Sequence, residues 1–307
     1  MTGPDREPAA APAPDPEAVV AELAAQAERL HTPCGDGTMV WHRWPGPATP
    51  AAGRPPLVLL HGGFGSWTHW LRVIPALAAR GPVLAADMPG KGDSADAPRP
   101  HTADGLAEIM ADGLSRLLPG ERACYDLVGF SFGGTLGARV ARMDGRRCRT
   151  FVAVGASGFG GLHHLVDGIV LPAPDLPLAE TEAIHRGNLK ILMLADEANI
   201  DDLALYIHRL NVARSRVRSR AISKTTALVD ALADIRARIA GIWGERDATG
   251  SGRAAIEDRR EIFRRHQPTA PFHIIPGAGH WVMYEAPEAF VAALVDILEE
   301  PAEAPAP

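Results

Sequence analysis

The chain has 307 residues, 46% of them apolar, which is enough to bury a large core in one α/β domain with an insertion or in two small domains. Its net charge of −6 comes from 31 basic and 37 acidic residues scattered along the chain, a balance that offers no basic surface for nucleic acid or an anionic membrane. A small neutral or weakly charged substrate fits this balance better.

Both ends are rich in Pro, Ala and acidic residues, which predicts solvated, disordered tails at residues 1–17 and 300–307. The opening lacks the unbroken apolar run of a secretory signal, and no stretch reaches transmembrane length. Cys34, Cys124 and Cys148 stand too far apart to indicate a disulfide framework or a zinc site. We therefore expect a cytoplasmic protein with reduced thiols, the alternative being an exported chain whose signal has been removed.

Between the tails, helices and strands alternate. Apolar spacing predicts, in chain order, helix 18–30, strands 39–44 and 56–60, helix 67–79, strand 83–86, helix 103–118, strand 125–129, helix 132–142 and strand 151–155. Because a parallel crossover needs a covering helix, this alternation predicts an α/β fold with a mostly parallel, doubly wound sheet.

The alternation stops between residues 157 and 235. The segment is predicted to be helical near 180–195, 200–218 and 225–238. The sheet pattern then resumes with strand 240–243, helix 253–265, strand 272–275 and helix 287–298. We therefore predict a core formed by residues 18–156 and 236–299, with an all-helical insertion at 157–235.

The strongest local signal is Gly-x-Ser-x-Gly at residues 129–133, directly after an apolar strand and before a helix. A serine on so sharp a turn takes strained backbone angles, and small residues two positions away on each side let neighbouring backbone approach. This setting favours Ser131 as a nucleophile over an ordinary glycine-rich turn.

A serine hydroxyl is a poor nucleophile at neutral pH, so it needs a base that is itself oriented by a third group. His280 is the candidate base, because it follows strand 272–275 in a loop of small residues, on the same sheet edge as Ser131. Asp247, also just beyond a strand, is the candidate acid that holds His280, with Glu245 as a nearby rival. The chain order differs from both common serine-protease arrangements.

The loop after strand 56–60 reads His-Gly-Gly-Phe-Gly at residues 61–65. Acyl transfer needs fixed donors where its oxyanion forms, and we expect one from the backbone of Gly63 or Phe64 and another from Phe132. A phosphate-binding loop is the alternative, although no Gly-Lys-Ser/Thr follows. This chemistry requires no metal and no organic cofactor, so neither is predicted.

These motifs resemble the ordered landmarks of the α/β-hydrolase superfamily. They lie at residues 61–65, 87–94, 129–134, 244–247 and 279–281, and the resemblance covers residues 55 to 295. It implies that residues 157–235 are the helical cap that this family places after its sixth strand, where the cap roofs the active site. It also implies a serine hydrolase that cleaves a small carboxylic ester or related acyl bond.

Within the superfamily, Trp281 and the segment containing Asn211 resemble carbon–carbon bond hydrolases of meta-ring-fission products, which makes both residues candidates for substrate binding. Those enzymes usually carry Asn before the nucleophile, where this chain has Phe130. The Gly-Phe-Ser turn resembles cofactor-free haloperoxidase-like esterases. A carbon–carbon bond hydrolase and a non-catalytic ligand-binding relative therefore stay open as alternatives to an esterase.

Five arginines lie between residues 208 and 220. At helical spacing they spread around the helix, so most form a solvated face. We expect Arg214 to point into the pocket and bind a substrate carboxylate through two hydrogen bonds. The predicted partner is thus a small molecule, with a carboxylate as its candidate polar group, and the sequence leaves a homo-oligomer open.

Overall fold

The computed structural model describes residues 14–47, 54–120, 123–162 and 166–299. Its centre is an eight-stranded sheet with the order β1-β2-β4-β3-β5-β6-β7-β8. The strands are β1 (Glu28–Cys34), β2 (Gly37–Trp44), β3 (Leu57–Leu60), β4 (Val83–Asp87), β5 (Tyr125–Phe130), β6 (Cys148–Val154), β7 (Arg238–Gly244) and β8 (Phe272–Ile275). β2 pairs antiparallel with β1 and β4, and every other pair is parallel. The predicted mostly parallel sheet is confirmed.

Helices pack on both faces of this sheet. They are α1 (Pro16–Ala25), α2 (Ile74–Ala78), α3 (Ala103–Leu117), α4 (Phe132–Asp144), α5 (Leu178–Asn188), α6 (Asp202–Ala213), α7 (Arg220–Ser223), α8 (Ala227–Leu232), α9 (Arg253–His266), α10 (Val282–Glu285) and α11 (Pro287–Glu299). Along β3 the side chains alternate between two apolar cores, Val58 and Leu60 in one and Leu57 and Leu59 in the other. β3 is therefore buried on both faces, as its unbroken apolar run predicts.

The N-terminal region differs from its prediction. Instead of one helix over 18–30, α1 ends at Ala25 and β1 starts at Glu28. β1 is an edge strand with mostly exposed side chains and contains Pro33, so its sequence lacks a buried-strand pattern. α1 begins at Pro16, so the last two residues of the predicted tail 1–17 are helical. Residues 1–13 and 300–307 lie outside the described residues, and the tails there stay a prediction.

The predicted helix 67–79 is also interrupted. A 3-10 turn at Trp67–Trp70 is followed by the separate short helix α2. Pro75 stands in the first turn of α2, where a missing backbone N–H costs nothing, whereas in the interior of a longer helix it would break a hydrogen bond. The proline therefore explains why the chain restarts a helix here.

The described residues between β6 and β7 form helices and no strand, as predicted. α5 runs into a π-helical turn at Leu189–Met193, while α6 ends at Ala213, five residues before the end of the predicted stretch 200–218. Beyond α6 the backbone N–H of Arg216 bonds the carbonyl of Gly90 at 2.9 Å, so a contact with the core replaces the helix there. The division into core and cap stays a prediction. Among the described residues, no helix has both the length and the apolar character needed to cross a bilayer.

Candidate active site

Ser131 alone forms the turn between β5 and α4. Its backbone angles are φ 52° and ψ −115°, a conformation that costs free energy for any residue with a side chain. Gly129 and Gly133 approach each other so closely that a Cβ on Gly129 would lie 2.4 Å from the Gly133 carbonyl oxygen. Ser131 is half-buried, while its two neighbours are buried. The turn therefore presents the serine side chain at the sheet edge, as its motif predicts.

His280 and Asp247 form a buried pair. Nδ1 of His280 lies 2.9 and 3.0 Å from the two carboxylate oxygens of Asp247. The backbone N–H and the hydroxyl of Thr249 each donate to Asp247 Oδ1 at 2.8 Å. Burial alone raises the pKa of the Asp247 carboxyl, but His280 and Thr249 outweigh it and hold this pKa below its ordinary value. The ionised carboxylate fixes the imidazole with its N–H on Nδ1.

Gly155, the residue after β6, lies directly against this pair. A Cβ at Gly155 would stand 3.0 Å from Asp247 Oδ2 and 3.1 Å from His280 Nδ1. Its φ of +48° also favours glycine. Gly155 is not among the residues predicted from the sequence, where its one signal is a glycine directly after an apolar strand. It leaves the space in which the imidazole and the carboxylate meet.

Ser131 and His280 line one cavity of about 150 Å³. The segment between β6 and β7 forms one wall, with Val166, Ile169, Leu192 and Met193 on its apolar part and His208, Ser219, Arg220 and Ser223 on its polar part. The Ser131 hydroxyl and the His280 ring make no hydrogen bond in the described structure, and bonds of this kind often tighten only when substrate binds. The cavity therefore brings Ser131 and His280, the residues predicted to be nucleophile and base, to one shared space.

The three residues predicted to form an oxyanion hole, Gly63, Phe64 and Phe132, line the same cavity. Phe132 is the first residue of the 13-residue helix α4, whose N-terminal N–H groups and dipole favour a negative charge. A Cβ on Gly63 would lie 3.8 Å from Cβ of Phe132 and 2.4 Å from Oγ of Ser219. The loop of residues 61–65 and the start of α4 therefore adjoin, as an oxyanion hole requires.

Two buried histidines hold this loop. His61 Nδ1 lies 2.8 Å from the carbonyl oxygen of Gly62, and its Nε2 accepts from the backbone N–H of Met88 at 2.9 Å. Burial lowers the pKa of His61 to about 4. His69 lines the cavity, accepts the N–H of Gly62 at 3.2 Å, and has its pKa well below the ordinary value through burial and neighbouring histidines. Both rings are therefore neutral near pH 7. His69 is not among the site residues predicted from the sequence.

The prediction for Arg214 needs correction. Its Nη1 lies 2.9 Å from a carboxylate oxygen of Asp93, and the described lining of the cavity does not include it. Arg220 lines the cavity instead and makes no ion pair with any described residue. The prediction assumed a helix through residue 218. Because α6 ends at Ala213 and the chain beyond it packs on the core, a different arginine reaches the cavity.

Asn211 and Trp281 are likewise absent from the described cavity lining. Asn211 is buried, its Oδ1 accepts from Ser66 Oγ at 2.7 Å and its Nδ2 donates to Thr68 Oγ1 at 3.1 Å. Trp281 is buried, and its Nε1 donates to the carbonyl of His69 at 2.8 Å. Both side chains therefore hold neighbouring elements together by hydrogen bonds, and neither is part of the cavity lining where substrate contact was predicted.

Sequence comparison places this fold among known proteins. A model of the alpha/beta hydrolase family matches residues 57–293. The dihydrolipoyllysine-residue acetyltransferase component of the acetoin cleaving system of Pseudomonas putida is 31% identical over 252 residues, 77% of this chain and 61% of that protein. The 2-hydroxy-6-oxo-2,4-heptadienoate hydrolase of P. putida F1 is 36% identical over 118 residues, 37% of this chain and 41% of that enzyme. The chain thus spans less than two thirds of the length of these two relatives.

Solved structures share the architecture. A carboxylesterase from Bacillus subtilis superimposes with a TM-score of 0.69 at 19% identity, over 94% of this chain and 96% of that one. A variant of the meta-cleavage product hydrolase of Pseudomonas fluorescens IP01 does so with a TM-score of 0.66 at 20% identity, over 86% and 94%. At these identities the likeness concerns the fold. Together with the family match over residues 57–293, it shows that the chain belongs to the alpha/beta hydrolase family.

Proposed function

We propose that the protein is a serine hydrolase that cleaves a small-molecule carboxylic ester, or a related acyl bond, through an acyl-enzyme on Ser131. One observation carries the proposal: the serine on the strained turn lines the same cavity as His280, whose Nδ1 is bonded to the buried carboxylate of Asp247. Nucleophile, base and orienting acid are the three parts that such a reaction needs. Membership of a hydrolase family supports it.

In the proposed reaction, His280 Nε2 takes the hydroxyl proton of Ser131 as Oγ attacks the carbonyl carbon. Backbone N–H groups of Phe132 and of Gly63 or Phe64 stabilise the oxyanion of the tetrahedral intermediate. His280 then returns the proton to the departing alkoxide, which leaves as an alcohol. Water, deprotonated by His280, attacks the acyl-enzyme and releases the acid. None of these steps requires a metal or an organic cofactor.

We expect the segment 157–235 to act as a cap over the bound substrate. It contributes about half of the described cavity lining, and its apolar part, such as Leu192 and Met193, suits a hydrocarbon portion of the substrate. Enclosure by such a wall excludes water and strengthens the electrostatic contacts inside the site. A cavity of about 150 Å³ favours a small acyl group.

Carbon–carbon bond hydrolysis of a vinylogous diketone acid is the second candidate. Arg220 favours it, because this cation lines the cavity without an ion-pair partner among the described residues and can bind a carboxylate. One relative is a 2-hydroxy-6-oxo-2,4-heptadienoate hydrolase, and one solved structure of this fold is a meta-cleavage product hydrolase. Against it stands Phe130, whose ring lies 4.8 Å from the His280 ring where those enzymes usually carry Asn.

Turnover of a short-chain aryl ester by the wild type and Ser131→Ala tests the proposal. The variant should fold normally and lose about 4–8 kcal/mol of transition-state stabilisation, roughly 10³–10⁶-fold in rate. Wild-type-like turnover by the variant would refute the assignment of Ser131.

A panel of aryl esters, lactones and a vinylogous diketone acid then separates the two candidates. Preference for the acid, lost in Arg220→Gln while ester turnover persists, would establish the second.

A further inference from the structure

The carboxylate of Glu285, the last residue of α10, accepts four hydrogen bonds from two distant parts of the chain. The donors are all N–H groups, three of them in the backbone: Gly279 N at 2.6 Å, Ala195 N at 3.1 Å, Asp196 N at 2.8 Å and Asn199 Nδ2 at 3.2 Å. The first donor belongs to the loop that carries His280, and the other three belong to the segment 157–235. Hydrogen bonds to an ionised acceptor are roughly twice as strong as neutral ones, so Glu285 joins the two parts firmly.

The same two parts also meet through their backbones. The N–H of Trp281 donates to the carbonyl of Met193 at 2.8 Å. A Cβ on Gly279 would lie 2.7 Å from the backbone N of Ala195 and 3.0 Å from the carbonyl oxygen of Met193, so a glycine is needed for this approach. Gly279 and Trp281 stand directly before and after His280. The segment therefore holds the histidine on both sides along the chain.

The stretch that Glu285 binds continues into the wall of the cavity. Leu192 and Met193 line the cavity together with Ser131 and His280. A shift of this wall would therefore pull on the loop that carries the base. Because the rate of a reaction between held groups depends steeply on their relative position, the seating of the wall bears on the rate as well as on the shape of the cavity.

We propose that Glu285 is a positioning residue that aligns His280 with Ser131 by tying the histidine loop to the cavity wall formed by residues 157–235. The inference rests on the proposed function, because it assigns His280 as the base that acts on Ser131. Glu285 acts through the backbone N–H of Gly279 and is not part of the described cavity lining. The wall and the base are thereby held as one unit.

Glu285→Ala tests this, with kinetics of an aryl ester referred to the folded fraction in urea denaturation. The kcat should fall about 10-fold and KM should change less than about threefold, since displaced reacting groups lose rate. Glu285→Gln should keep kcat within about threefold, because its amide oxygen can still accept from Gly279 and Ala195 while the amide of Asn199 rotates to face its NH₂. Glu285→Asp, one methylene shorter, should lose an intermediate part of kcat and provides a second reading if the alanine variant does not fold.

Asp201→Ala is the matched control. Asp201 also joins the segment to the core, because its carboxylate accepts from Arg72 and from the hydroxyl of Tyr284, but its hydrogen bonds do not include the loop that carries His280. This variant should lose stability in urea as Glu285→Ala does and keep kcat within about twofold. Wild-type kcat in Glu285→Ala, a loss in Glu285→Gln as large as in Glu285→Ala, or an equal loss in Asp201→Ala would overturn the inference.

The NMR signal of the Nδ1 proton of His280 gives a reading that needs no turnover. This proton lies in the bond to Asp247 and reports the setting of the imidazole. Its signal should shift or broaden in Glu285→Ala and stay unchanged in Asp201→Ala. Failure of the wild type to hydrolyse the ester would overturn the ester hydrolase, and this signal would then decide the role of Glu285. A shifted signal in Glu285→Ala would support that role, and an unchanged signal would overturn it.

Discussion

Replacing Gly155 by alanine tests whether the geometry of the His280–Asp247 pair controls the rate. The new Cβ would lie 3.0 Å from Asp247 Oδ2 and 3.1 Å from His280 Nδ1, which is tighter than nine in ten real Cβ contacts. The side chain of Asp247 or of His280 must therefore move by a few tenths of an ångström. Because a 1 Å misplacement of reacting groups costs about 100-fold, we expect kcat to fall by roughly 10-fold.

The same substitution strains the backbone, so stability must be separated from catalysis. Alanine at the φ of +48° found at Gly155 should cost about 1–2 kcal/mol of unfolding free energy. Gly145 provides the control, because its φ is +57° and a Cβ there meets nothing within 4 Å. Gly145→Ala should lose similar stability in urea denaturation and keep wild-type kcat for an aryl ester. Equal kcat values for Gly145→Ala and Gly155→Ala would refute the reasoning.

Three further predictions concern the same site. Asp247→Asn should lower kcat about 10⁴-fold with little change in fold, because an amide cannot hold the productive tautomer of His280; ester kinetics showing less than a tenfold loss would contradict this. Burial depresses the pKa of His61 from 6.5 to about 4, so the unfolded chain binds a proton at this residue at a higher pH than the folded chain, and the free energy of unfolding should fall by about 2 kcal/mol between pH 7 and pH 5. His61→Gln should lose less stability over this range in urea denaturation. The same pH dependence in the variant and the wild type would contradict this prediction. Gly63→Ala should raise KM for an aryl ester, because the new Cβ would lie 2.4 Å from Ser219 Oγ, and adding Ser219→Gly should bring KM back to the wild-type value. Additive effects of the two substitutions on KM would exclude this contact.

Chain order alone predicted most of the sheet and which residues gather at its edge. The carboxyl ends of neighbouring parallel strands meet on one side, so residues just beyond β5, β7 and β8 come together. This is how Ser131, Asp247 and His280 could be named from a linear pattern. The structure brings Asp247 and His280 into contact and places Ser131 on their cavity.

The wall formed by residues 157–235 could not be predicted in the same way. Helical periodicity indicates which side of a helix is apolar, but not where a contact with the core ends the helix. The bond between Arg216 and Gly90 lies beyond any local pattern, so Arg214 was expected in the pocket and Arg220 lines it. His208 lines the same cavity, and the sequence does not indicate this, because the face of α6 that adjoins the cavity depends on how the segment packs on the core.

Covalent labelling of Ser131 tests the central claim most directly. A fluorophosphonate reacts only with a serine activated by a neighbouring base, so the native protein should gain one adduct on the peptide containing Ser131. Labelling should vanish in Ser131→Ala and drop strongly in His280→Ala. A native protein that stays unlabelled, or one labelled at another serine, would contradict the account and favour a ligand-binding relative without catalysis.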